Sequence, residues 1–123
     1  MEAIFVYTRA QALSDGVLVD VSQLAQEAGF RCPTALTQAV WEQHVRVPEG
    51  VSDQDETGRL WDILWMLRCA IVRLQQLHRG PVISFTLLVK NDPTGPKLVT
   101  LKAICGPGND GEMVLTILLP YED

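Results

Sequence analysis

The segment from Asp53 to Arg79 most constrains what this chain can fold into. Asp53 and Glu56 stand at N-cap and N3 spacing, acids crowd the first turn and arginines occupy the later turns. That order suits the partial charges at the two ends of a helix, and Gly80-Pro81 stops it. Leu60, Leu64, Leu67, Ile71 and Leu74 form one stripe at helical spacing, widened by Trp61, Trp65 and Val72. A helix this apolar is not wetted over one whole side, so the chain must supply a surface that covers it.

The residues after Gly80 supply one. Val82 to Val89 alternates Ile83, Phe85, Leu87 and Val89 with Ser84 and Thr86, the period of a strand with one buried face. The cluster 91–96, Asn-Asp-Pro-Thr-Gly-Pro, is a turn; Lys97 to Cys105 is a second strand; 106–111 is a second turn; and Met113 to Leu119 is a third strand. The expectation is an α+β fold in which one long central helix packs on a C-terminal three-stranded antiparallel meander.

Shorter elements precede the helix. Ala3 to Tyr7 is β-branched and aromatic and reads as a strand, and Thr8-Arg9-Ala10-Gln11 matches a capping box for a short helix that ends at Gly16. Val17 to Val21 reads as a short extended segment. Ser22 is a candidate N-cap for Gln23 to Ala28, with Gly29 as terminator, and Thr34 or Thr37 can cap a further helix through Val40, Trp41 and Val45. The only inner boundary, near Pro48 to Asp55, is too short to separate two units, so residues 1–123 are expected to form a single α+β domain.

A hydrophobic fraction of 47% with 20% charged residues excludes disorder driven by charge. Asp62, Arg68 and Arg73 interrupt the most apolar segment, which excludes it as a membrane span, and Met1-Glu2-Ala3 lacks the basic start of a signal peptide. A cytoplasmic location is expected. Cys32, Cys69 and Cys105 have no spacing for zinc or for a disulfide framework and read as free, buried thiols. Residues 1–60 hold nine acids against four arginines and no lysine, whereas residues 61–123 hold six acids and six bases. The net charge of −5 therefore arises wholly in the first half, densest between Glu42 and Glu56. Such a field repels nucleic acid and attracts basic surfaces.

Four stretches together carry a resemblance: I-F-V-Y-T-R-A-Q-A-L-S-D-G-V-L-V-D-V at 4–21, A-V-W-E at 39–42, D-E-T-G-R-L-W-D-I-L-W-M at 55–66 and K-L-V-T-L-K-A-I-C-G-P-G-N-D-G-E at 97–112. The chain resembles a family of small bacterial proteins, common on plasmids, integrative elements and phages, catalogued as a domain of unknown function. Relatives commonly end in an acidic L-P-D-E-D tail, where this chain has Leu119-Pro120-Tyr121-Glu122-Asp123. The resemblance implies a mobile-element setting and supplies no catalytic residues.

Candidate sites divide between chemistry and packing. A helix-turn-helix is suggested by Leu24-Ala25 followed by Gly29, but its second helix offers Gln38, Glu42, Gln43 and His44 with no basic residue before Arg46, too few phosphate contacts for DNA. Tyr7-Thr8-Arg9 after a strand, with Gly16, resembles the first motif of ADP-ribosyl-transferring folds, with Glu112 as the acid such a site would need; capping by Thr8 is the simpler reading. His44 and His78 stand alone near predicted helix C-termini, where a partly positive imidazole is favoured. The glycine-rich 106–111 leads into a strand rather than a helix, so it is a turn and not a phosphate loop.

The remaining candidates form a partner surface: the acids Glu49, Asp53, Asp55 and Glu56, read either as a solvated helix start or as a docking patch, and Trp61 and Trp65, read either as core or as interface anchors. With no catalytic, metal or cofactor motif, a small acidic binding protein is the leading expectation. It would be an anti-defence inhibitor of the anti-CRISPR kind, acting by stoichiometric contact with a partner bearing a basic surface. The alternatives are an accessory factor for plasmid maintenance or transfer, and an ADP-ribosyltransferase-like enzyme.

Overall fold

The computed structural model describes residues 8–75, 80–108 and 110–122. The expected strand at Ala3 to Tyr7, the helix end at Arg79 and His78 all lie outside the described residues. Helix α1 (Arg9–Asp15) carries the expected capping box: Thr8 Oγ1 accepts from the Gln11 amide at 3.1 Å, and the Gln11 side chain accepts from the Thr8 amide at 2.8 Å. Gly16 closes it in the left-handed conformation, at φ 81°.

Strand β1 (Leu18–Asp20) and helix α2 (Ser22–Glu27) follow. Ser22 does not cap α2 as expected. Its hydroxyl donates to Asp20 Oδ1 at 2.6 Å and accepts from the Thr34 amide at 2.9 Å, so it ties β1 to the next strand. That strand, β2 (Thr34–Thr37), replaces the expected helix start at Thr34. All four of its residues are buried, and a strand covered on both faces shows no alternation. Thr37 does cap the following helix, accepting from the Val40 amide at 3.3 Å. This helix, α3 (Gln38–Val40), runs into a π-turn over Trp41–Val45, closed by the Arg46 amide on Trp41 O at 2.8 Å.

Helix α4 (Glu56–Gln75) is the long central helix. Its cap is Asp55, whose Oδ1 accepts from the Gly58 amide at 2.6 Å, and not Asp53, which pairs with Lys90 instead. Strands β3 (Val82–Val89), β4 (Lys97–Pro107) and β5 (Met113–Leu118) form the expected antiparallel meander. The sheet is larger than that meander. Among the described residues its order is β1-β2-β5-β4-β3, five strands, with β2 parallel to β5 and antiparallel to β1. The extra strands were hidden because β1 is three residues long and β2 has no alternation.

The core lies between α4 and one face of this sheet. Leu60, Ile63, Leu64 and Leu67 of α4 meet Phe85, Leu87 and Val89 of β3, Leu101 and Ala103 of β4, and Leu115 and Ile117 of β5. Of the residues expected to widen the stripe, Trp61 is half-buried, whereas Trp65 and Val72 are 40% and 52% exposed. The acidic tail is docked: Glu122 Oε1 accepts from Thr37 Oγ1 at 2.7 Å and from the Leu119 amide at 2.8 Å.

Candidate functional site: an acidic groove beside two tryptophans

The first turns of α4 are held down by Arg59. Its side chain is buried at 5% exposure, and Nε donates to His44 O and Val45 O, both at 3.1 Å. Nη1 donates to Lys90 O at 2.6 Å and Gln54 Oε1 at 3.0 Å, and Nη2 to Asn91 Oδ1 at 2.5 Å. One guanidinium thus joins the π-turn, the loop before α4 and the turn after β3, using the planar fork of donors that lysine lacks. All five acceptors are neutral, and burial lowers the Arg59 pKa. Next to it His44 is also buried, its Nδ1 without a partner among the described residues. Burial first, and the Arg59 charge second, lower the His44 pKa, so the imidazole is held neutral rather than partly positive as its helix-end position suggested.

Outside this anchor lies an open groove of about 660 Å³ between α2 and the start of α4. Glu27, Asp53, Asp55 and Asp62 line it with Leu24 and Trp61, and among the described residues its one basic lining residue is Arg59, whose three nitrogens all donate within the fold. A hydrogen bond from Lys90 lowers the Asp53 pKa, and Lys90 Nζ sits 3.0 Å from Asp53 Oδ2. A second depression of about 370 Å³, between Asp20 and Trp41, continues the groove and shares Leu24, Glu27 and Thr57 with it. Carboxylates in a concave, partly apolar surface focus a negative potential that selects cations.

Trp61 forms the ridge at the other end. Its ring stacks on Trp65 with centroids 5.8 Å apart and planes at 14°, and the Arg68 guanidinium lies 5.0 Å over Trp65. The spacing 61, 65, 68 places the three on one helix face. Arg68 in turn lies against Gly29, which has φ 102° and where a Cβ would come within 2.9 Å of Arg68 Nε. Beyond Trp65 a separate apolar cleft of about 400 Å³ runs to Leu88 and Leu98 on the sheet.

The structure brings Asp53, Asp55 and Trp61 together in the groove, whereas Glu49 and Glu56 are exposed but do not line it, and Trp65 faces the apolar cleft beyond the ridge. Glu27 was missed by sequence reasoning because it joins the groove only through the packing of α2 on α4, whereas Asp62, seven residues after Asp55 on one helix face, was signalled by spacing. Arg59 was missed as well, although a charged residue next to Leu60 and four before the buried Ile63 signals an anchored polar group.

Of the residues of the ADP-ribosyl reading, Arg9 and Glu112 lie near enough to interact electrostatically, and each has a hydrogen-bond partner of its own. Thr8 is a cap, Arg9 donates to Thr116 Oγ1 and Leu115 O, and Glu112 accepts from the Asp110 amide at 3.0 Å; Tyr7 lies outside the described residues. The three cysteines are free and half-buried rather than buried. Among the described residues no cluster of ligands could hold a metal ion, and no helix is long and apolar enough to cross a membrane.

A family model described as a family of unknown function (DUF6573) matches residues 1–123. No curated protein and no solved structure matches the chain.

Proposed function

We propose that the chain, which belongs to the family of unknown function DUF6573, is a stoichiometric binding protein whose acidic groove receives a basic segment of a protein partner. The observation that carries this reading is the placement of Glu27, Asp53, Asp55 and Asp62 around Trp61 in one groove whose only basic lining residue among the described residues, Arg59, donates from all three nitrogens within the fold. An arginine or lysine side chain entering it would meet carboxylates at its head and the Trp61 ring along its stem, the combination that gives charge-assisted bonds and apolar packing of the stem.

The setting we propose is that of an anti-defence inhibitor carried on a mobile element. Its target would be a host protein with a basic channel for nucleic acid. The motif resemblance to plasmid- and phage-borne proteins supports the setting, and the charge of the groove supports the class of target.

The test uses two baits against host lysate: the native chain, and a chain with Glu27→Gln, Asp53→Asn and Asp55→Asn. A target retained by the first and lost from the second is expected, with its activity titrated one for one by the native chain. Equal retention by both baits, or loss of target activity at a small fraction of equimolar chain, would overturn the reading.

A further inference from the structure

The edge of the sheet that is unpaired among the described residues points to a second surface, beyond the binding role proposed above and on the other side of Trp61. Among the described residues strand β3 is an outer strand, paired only to β4, and its eight residues contain no charge and no proline. Natural edge strands are ordinarily blunted by one of those devices, or kept short. The opposite edge follows that rule: β1 has three residues and ends in Asp20. At β3 the apolar surface is instead displayed, with Trp65 at 40%, Met66 at 37%, Leu88 at 60% and Leu98 at 69% exposure.

Two clefts flank this edge where α4 passes beside it. The first, of about 400 Å³, lies between Asp62 to Met66 and Thr86 to Leu88; the second, of about 210 Å³, lies between Met66 to Arg73 and Ser84 to Thr86. They meet at Met66 and Thr86, so Thr86 marks the middle of the exposed edge. Asp62 stands at one end and Arg73 at the other, and neither has an ion-pair partner among the described residues.

That pattern is self-complementary. We propose that a second copy of the chain docks here, its β3 pairing antiparallel with this β3 about a two-fold axis near Thr86, so that two five-stranded sheets become one. A two-fold axis at that point reverses the second α4 alongside the first. It sets Asp62 of each protomer opposite Arg73 of the other, and brings the two Met66 to Ala70 segments together over the joined strands. The same axis covers Trp65 and Leu88 twice, as an isologous interface requires. The charges occur once each at opposite ends of an apolar seam, so antiparallel docking pairs them and parallel docking opposes like with like. The acidic groove meets the seam at Trp61 and Asp62, which line both.

Sedimentation velocity of the full chain over a concentration series gives the test. The native chain is expected to sediment as a dimer, at twice the 13.6 kDa of one chain. Asp62→Arg and Arg73→Asp are each expected to weaken dimerisation about tenfold, since the two-fold axis doubles the effect of one ion pair at the rim. The double variant is expected to restore it. Leu88→Lys, at an exposed position, should give a monomer with unchanged circular dichroism; Thr86→Lys serves if that variant folds poorly. A native chain that stays monomeric at the highest concentration, a dimer indifferent to these lysines, or a double variant no better than the singles would overturn the proposal.

Discussion

Replacing Arg59 by methionine keeps most of the side-chain volume and removes every donor. In the native fold its guanidinium makes five hydrogen bonds, three of them to the carbonyls of His44, Val45 and Lys90. Gln54 and Asn91 are exposed and can turn to water when the guanidinium is gone. The three carbonyls are less free to do so, and an acceptor left unsatisfied on burial loses about 1 kcal/mol or more. Against this stands the relief of no longer burying a charge without a carboxylate beside it. The balance is a loss of about 2–4 kcal/mol, which for a domain of this size lowers the melting temperature by about 10 °C. Urea unfolding followed by tryptophan fluorescence measures it. Arg59→Lys should fall between the two, because an ammonium keeps the charge but cannot span three segments. A loss below about 0.5 kcal/mol for the methionine variant would refute the view that Arg59 is the anchor of the groove loop.

Leu64→Ala, at a site with no exposure, should destabilise the chain by about 2–5 kcal/mol, read as a shift of the denaturation midpoint; an unchanged midpoint would remove Leu64 from the core. His44 gives a pH dependence. Its folded pKa is lowered by burial and by Arg59, so below an unfolded pKa of about 6.5 the unfolded chain binds the proton first, and stability falls as pH drops through and below that value. His44→Gln should flatten this stretch of the stability–pH curve. Asp53 and Asp92 have lowered carboxyl pKa values, through hydrogen bonds from Lys90 and Thr94 respectively, so their contribution is present above the ordinary carboxylate range and is lost only in stronger acid. That second window should remain in the His44 variant.

The extent to which the fold was legible follows from where its information is local. The alternation from Val82 to Val89 named a strand with matching ends, because one face is core and the other solvent. The capping box at Thr8 and the stripe of α4 were legible for the same reason: spacing alone decides them. Strand β2 was not, because its four buried residues carry no period and its partner β5 lies far along the chain. The helix cap was assigned to Asp53 rather than Asp55, since both carboxylates suit the position and only Lys90, brought in by β3, takes Asp53 away.

The groove was half legible. The density of acids before α4 pointed to Asp53 and Asp55, but equally to Glu49 and Glu56, which share their charge and not their place. Glu27 comes from α2, whose packing on α4 is not written in any local pattern. The tryptophans showed the limit of periodicity. Trp61 and Trp65 sit four residues apart and stack, yet one is half-buried at the groove and the other is 40% exposed beyond it. Spacing puts two side chains on one face and does not say where the face ends.

On the reading proposed above, the arrangement of the groove, and not net charge, selects a basic partner. Two variants neutralise the same number of acids: Glu27→Gln, Asp53→Asn and Asp55→Asn within the groove, and Glu49→Gln, Glu56→Gln and Asp110→Asn outside it. Asparagine at position 55 can still cap α4. Tryptophan fluorescence titration with an arginine–glycine repeat peptide at physiological salt compares them with the native chain. Affinity is expected to fall by about tenfold or more for the groove variant and to stay within about twofold of native for the outer one. Equal losses in the two variants, or no change in either, would contradict that reading.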